Sequence, residues 1–136
     1  MMEMKLELVP LPVSDVDRAK TFYVEKVGFH LDHDVQPGNG MRIVQLTPPG
    51  SACSIVIGTG MGEISAMQPG AIKGLHLVVS DIHQARESLV SRGVEVSEVD
   101  DMGGVKYAYF RDPDGNSWEL QEIFPNARLD TSGNGE

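Results

Sequence analysis

Four histidines and one cysteine are the side chains of this 136-residue chain best suited to metal or nucleophilic chemistry. His30 and His33 stand with Asp32 and Asp34 in a run whose composition is that of a metal cluster. Alternation along an extended strand sends residues of odd separation to opposite faces, which splits His30 from His33. The run is therefore expected to be solvated surface. His83 falls in the first turn of a helical stretch and is expected to be exposed. Cys53 is the single cysteine, so neither a disulfide nor a cysteine zinc cluster can be built within the chain. With no His or Lys next to it in sequence, it is expected to be a buried, inert thiol. His76 sits in an apolar stretch, where a neighbouring carboxylate would make its ring a base tuned near neutral pH. The competing expectation is an imidazole satisfied by a backbone carbonyl or water.

Positioning such groups requires a fold, and composition bounds it. Apolar residues make up 40% of the chain and charged residues 23%, values of one globular domain at this length. No run approaches the ~18 apolar residues of a membrane span. The start, Met1-Met2-Glu3-Met4-Lys5, lacks the basic and then apolar pattern of a secretory signal, so a cytoplasmic location is expected. Twenty acidic against 11 basic residues give a formal charge of −9. Nucleic-acid binding rests on patches of Lys and Arg that release counterions, and here the basic residues are scattered. Nucleic acid and membrane are thus excluded as expected partners, and a small cationic guest is mildly favoured.

The chain repeats itself. A shift of 66 residues lays Val13-Ser14-Asp15-Val16 on Val79-Ser80-Asp81-Ile82, Ala19 on Ala85, Lys20 on Arg86 and Val24 on Val90. Both copies then reach a glycine, Gly28 and Gly93, and a shift of 65 aligns Pro49-Gly50-Ser51 with Asp114-Gly115-Asn116. Internal repetition of this kind marks two copies of one structural module.

Within each copy the local signals agree. Residues 6–13 and 74–79 read as strands, and Ser14 and Ser80 as helix N-caps, Ser14 pairing with Asp17 in a capping box. Val16, Ala19, Phe22, Tyr23 and Val27 form one helical stripe, and Ile82, Ala85, Leu89 and Val90 another. Glycine ends each helix. Turn-forming residues at Pro37–Gly40, Thr47–Gly50, Asp100–Gly104 and Asp112–Gly115 then divide each copy into three further strands. The organisation expected is a first βαβββ module over 4–58, a linker over 59–72, a second βαβββ module over 73–124 and a flexible tail over 125–136. Met61 and Met67 in the linker are expected to form an adaptable cover. A sheet with a helix on one face needs its other face covered. The fold class is therefore α+β, two modules forming a curved mixed sheet around a central pocket.

The stretch Pro12-Val13-Ser14-Asp15-Val16 through Phe22-Tyr23, followed by Gly28-Phe29, resembles the opening of the vicinal oxygen chelate superfamily. That group includes glyoxalase I enzymes, bleomycin resistance proteins and extradiol dioxygenases. Asp112-Pro113-Asp114-Gly115-Asn116-Ser117-Trp118-Glu119-Leu120 is similar to its closing hairpin. The resemblance covers about residues 5–124 and implies a metal held by four inward-facing side chains, usually His or Glu, on the first and last strands of each module. Carried across, those positions fall on Leu8, Ser54, Gly74 and Glu119. Leu8 and Gly74 offer no ligating side chain and Ser54 a poor one. The metal site is therefore expected to be lost, with no cofactor, and a divalent metal survives only as a remote alternative.

If Glu119 faces the pocket, strand alternation adds Ser117 and Gln121. By the same rule Pro10 joins Leu8, His76 joins Gly74, and Ala52 and Val56 flank Ser54. The expected lining is thus Leu8, Pro10, Ser54, Val56, Gly74, His76, Ser117, Glu119 and Gln121, a few polar groups in an apolar wall that suits a small molecule. Trp118 should face away into the core, and the register of Tyr107, Tyr109 and Phe110 is left open. Three functions follow: small-molecule sequestration or carriage of the bleomycin-resistance type; a metal-independent enzyme with His76 and Glu119 as the catalytic acid–base pair; and a metal-dependent lyase, isomerase or dioxygenase with relocated ligands. Resemblance also implies a homodimer.

Overall fold

Asp15 and Asp81 open the two helices. Each takes an extended conformation and accepts from the backbone amide three residues on, Arg18 N at 3.0 Å and Gln84 N at 3.1 Å. The N-caps are thus the aspartates rather than Ser14 and Ser80. Either residue type can satisfy the orphan amides of a first turn, but the Ser14 hydroxyl has a charged partner elsewhere and donates to Asp114 Oδ1 at 2.6 Å.

The computed structural model describes residues 2–123; Phe124 and the expected 125–136 tail lie outside the described residues. Two four-stranded mixed sheets and few helices make up the fold, matching the two expected βαβββ modules. The chain divides into two units.

The first unit runs to Ile72 and also takes in Asp112–Asn116. Its strands are β1 (Leu8–Pro10), β2 (His30–Gly38), β3 (Met41–Thr47) and β4 (Ser54–Thr59), in the sheet order β1-β4-β3-β2 with β1 parallel to β4. Helix α1 (Val16–Thr21) widens into a π-helical stretch, Phe22–Val27. It ends at Gly28, whose φ of 96° is cheap only without a Cβ. The Gly28 and Phe29 amides both donate to Tyr23 O, which closes the helix. On the face toward the helix, Val44, Leu46, Ile55 and Ile57 are buried with Tyr23, Ala19 and Leu11. Tyr23 stacks on Phe29 at 5.4 Å and is perpendicular to Phe22 at 5.1 Å, contacts that add about 0.5–1.5 kcal/mol each beyond burial.

At the rim of this core, Arg42 on β3 grips Asp34 on β2 through two bonds of 3.0 and 2.9 Å and reaches Asp17 on α1 at 2.9 Å. Lys20 on α1 adds a 2.7 Å bond to Asp34. The Arg42 and Lys20 bonds hold the Asp34 carboxyl well below the usual carboxylate range, and Asp34 and Asp17 raise Arg42 above its own. Asp34 therefore ties strand to helix.

The turn Asp112–Asn116 is built into this unit. Tyr23 donates to Asp112 Oδ2 at 2.8 Å, and Asn116 Nδ2 donates to the Pro12 carbonyl at 2.8 Å. Asp112 Oδ1 accepts from the amides of Asp114 and Asn116, which shapes the turn internally. Ser14 and Arg18 hold Asp114. Met61 and Met67, with Leu11, Pro12, Val13 and Ile64, line a cavity of about 70 Å³.

The second unit comprises Lys73–Arg111 and the residues from Ser117 on. Its strands are β5 (Leu75–Val78), β6 (Asp100–Asp101), β7 (Val105–Arg111) and β8 (Ser117–Ile123), in the order β5-β8-β7-β6 with β5 parallel to β8. Helix α2 (Ile82–Ser91) buries Ile82 and Leu89, and Ala108, Phe110, Trp118 and Leu120 are buried on one face of the sheet. Phe110 and Trp118, directly paired in register, stack at 6.2 Å. The Ile82 amide donates to Glu122 Oε1 at 2.8 Å, so the even-numbered face of β8 is the helix face. No helix among the described residues is long and apolar enough to cross a membrane.

Candidate functional site

The chemistry-bearing residues lie on the sheet faces turned away from the helices, one face in each unit. In the second unit, β5 and β8 set His76 directly opposite Glu119, and β7 sets Tyr109 opposite Glu119 and Tyr107 opposite Gln121. Opposed residues share a face, so Tyr107 and Tyr109 join His76, Ser117, Glu119 and Gln121, while Phe110 turns to the core. The register left open by sequence is settled here.

His76 is oriented from both ends. Its Nδ1 lies 2.7 Å from the Gly74 carbonyl, which can only accept, so Nδ1 carries the proton. Nε2 then faces Glu119 Oε1 at 3.4 Å. In a neutral ring Nε2 is an acceptor beside another acceptor; an imidazolium would form an ion pair with the carboxylate. The sequence alternatives of a carbonyl-satisfied histidine and a Glu119 partner are thus both realised, on different ring nitrogens.

Gly74 lies just before β5 rather than in it, at a φ of 77°. A Cβ there would meet Glu119 Oε2 at 3.7 Å, an ordinary van der Waals distance, so the positive φ and not the carboxylate is what favours glycine. The Gly74 amide takes its hydrogen bond from Ser117, whose Oγ accepts at 2.8 Å. Tyr107 stacks on Tyr109 at 6.5 Å and stands perpendicular to the His76 ring at 6.0 Å. Partial desolvation, and then the negative charges of Glu119 and Asp100, push the Tyr109 phenol above its ordinary range, so it stays protonated.

In the first unit Leu8 lies opposite Ser54 and Pro10 opposite Val56, on the face away from α1. Ser54 and Val56 are buried, Leu8 and Pro10 half-buried. Ala52 is exposed and precedes β4, so it is not part of that row, because the strand begins only at Ser54. Ser54 belongs to a chain of hydrogen bonds that sequence reading missed. Thr47 Oγ1 donates to Asp32 Oδ2 in a short bond, which leaves Ser54 Oγ to donate to Thr47 Oγ1 at 2.6 Å. Gln45 Nε2 donates to Ser54 Oγ at 3.3 Å and lies 3.5 Å from Asp32. Each donor points toward Asp32, so the Ser54 lone pair still open is an acceptor.

Asp32 reaches this chain because β2 carries an extra residue there. His30 pairs with Thr47 and His33 with Gln45, with the register shifting between Leu31 and His33. His30 and His33 consequently share one face, against the expectation of opposite faces, because a bulge breaks the period of two. Both rings are exposed, as a solvated surface requires, but Asp32 and Asp34 are half-buried and bonded. Cys53 is half-buried rather than buried, its Sγ 3.7 Å from the Ser54 carbonyl.

The four positions where the resemblance implies metal ligands hold Leu8, Ser54, Gly74 and Glu119. Ser54 Oγ is already committed to two hydrogen bonds, and Glu119 alone supplies an anionic ligand type. Among the described residues, no three His, Cys, Asp or Glu side chains gather where they could hold a metal ion. These residues do not fit a chelated divalent ion.

Residues 5–120 match the model of the Glyoxalase/Bleomycin resistance protein/Dioxygenase superfamily. Among solved structures, TnmS3, an antibiotic binding protein from Streptomyces sp. CB03234, is 37% identical, with a TM-score of 0.79 over 90% of this chain and 98% of its own. A glyoxalase/bleomycin resistance protein from the same organism is 39% identical, with a TM-score of 0.73 over 85% of this chain and 98% of its own. The uncharacterized protein YetH of Bacillus subtilis (strain 168) is 30% identical over 118 residues, 84% of this chain and 94% of its own.

Proposed function

Because the chain belongs to the glyoxalase/bleomycin resistance protein/dioxygenase superfamily, we propose that it is a cytoplasmic small-molecule-binding protein that sequesters or carries its ligand without a metal. The observation that carries this reading is the set of side chains at the superfamily's metal positions, three of which cannot or can barely ligate. Likeness to an antibiotic-binding protein supports it. A fold alone does not fix function, so the weight rests on the site. His76, Ser117, Glu119 and Gln121, with Tyr107 and Tyr109, form one polar and aromatic binding face. Leu8, Pro10, Ser54 and Val56 form an apolar face with a single acceptor. We assign the chain a homodimeric state on the same family grounds.

The test is a thermal-shift and calorimetric screen of the full chain against natural-product antibiotics, followed by mass spectrometry of the recovered compound. Saturable binding with the compound returned intact is the expected result. Stoichiometric divalent metal in protein purified without added metal would overturn the reading.

A second reading has its own observation. An imidazole whose Nδ1–H is anchored on Gly74 and whose Nε2 meets a carboxylate is an oriented acid–base pair. A metal-independent enzyme would chemically convert the bound compound, and His76→Ala would then abolish turnover while keeping affinity within about tenfold.

A further inference from the structure

We infer that the ligand recognised on the second unit's open sheet face is an organic cation carrying N–H donors on an aromatic body. This deepens the binding reading and rests on it. Four observations converge. The Nδ1–H of His76 is used up on the Gly74 carbonyl, so the neutral ring offers the face an acceptor and no donor. That acceptor stands 3.4 Å from Glu119 Oε1, and a single ammonium, or the paired N–H groups of an amidine, reaches both. Glu119 Oε2 accepts no hydrogen bond among the described residues, which leaves it open to a second N–H. Tyr107 and Tyr109, inclined by 19° to each other, offer ring surface against which a cation or its aromatic body packs.

Charge on this face is mixed in sign, and the group that meets His76 is acidic. From β8 this point is faced by Glu119 and from β7 by the phenols of Tyr107 and Tyr109, while Arg111 stands two residues on along the same face of β7, opposite Ser117. Asp100 on β6, opposite Tyr107, adds a second carboxylate. Lys106 turns to the other face, toward Glu122 at 3.9 Å. An anion set between His76 and Glu119 would meet a carboxylate and an imidazole lone pair.

Benzamidinium, benzamide and benzoate share one ring and differ in charge. Each is titrated near pH 8, above the ordinary imidazole range, into isotope-labelled full-length protein and followed by backbone amide NMR. The inference expects benzamidinium to move the amides of Gly74–Val78, Tyr107–Tyr109 and Glu119–Gln121, with benzoate leaving them in place. Glu119→Gln keeps the shape and should weaken benzamidinium about tenfold or more. An unchanged dispersed spectrum shows that this variant is folded. Equal shifts from benzamide, or tighter binding of benzoate, overturn the cationic assignment and leave the binding reading standing. No shift from any probe, or benzamidinium shifts elsewhere only, also overturns it, and the antibiotic screen then judges the broader reading separately.

Discussion

The Tyr23 hydroxyl donates a 2.8 Å hydrogen bond to Asp112 Oδ2, joining residues 89 positions apart where both side chains are buried. Asp112 also accepts from Asn116 Nδ2 and from two backbone amides, so its carboxylate is the hub of a turn that packs within the first unit. Tyr23→Phe removes one donor to a buried anion and is expected to cost about 1.5–3 kcal/mol. Asp112→Ala orphans every one of those donors and should cost more. Urea unfolding of the two variants beside the parent checks the size and the order.

Gly70 makes a sharper prediction. Its φ is 84°, and a Cβ would fall 2.2 Å from the Asp114 carbonyl oxygen, which belongs to the same turn. Gly70→Ala should therefore destabilise by at least the ~1–3 kcal/mol of a strained backbone, with the clash in addition. A melting temperature equal to the parent's would refute this packing.

Acid should loosen the first unit through Asp34. Its folded-state carboxyl is held below the ordinary value by Arg42 and Lys20, so the unfolded state binds a proton first. The stabilisation is fully present above about pH 4 and is lost as pH falls toward the lowered folded value. Asp34→Asn should flatten the decline in melting temperature below about pH 4 and cost stability at neutral pH. A parallel decline in both proteins would remove Asp34 from the account.

Metal addition separates the readings of the site. Zinc, manganese or nickel added to chelator-treated protein should leave its melting temperature unchanged, because a ligand specific to the native state would raise it. A saturable increase that Glu119→Gln abolishes would place an ion on Glu119.

Much of the fold was legible because the signals were local. The repeat, the glycine that stops each helix and the inward Trp118 follow from spacing and period. The face of β7 was also within reach: the five residues Asp112–Asn116 set Arg111 opposite Ser117, which fixes Tyr109 opposite Glu119. The helix caps were misassigned because Ser14 spends its hydroxyl on Asp114, 100 residues away. Asp32 was read as solvated surface for a different reason. Period-of-two reasoning assumes an unbroken ladder, and a bulge resets it without any turn residue to announce the change. Its partners Gln45 and Thr47 went unnoticed with it, although they share the alternate face with Ser54.

The bulge at Asp32 has a practical corollary. Because it is one surplus residue between two well-paired stretches of β2, excising it would close the ladder without reversing the faces on either side. Leu31 would stay against Leu46 and Asp34 against Val44, and the row of hydroxyls at Thr47 and Ser54 would lose only its anionic terminus. A one-codon deletion, ordinarily the harshest edit a sheet can receive, is here the mildest way to neutralise that end of the sheet.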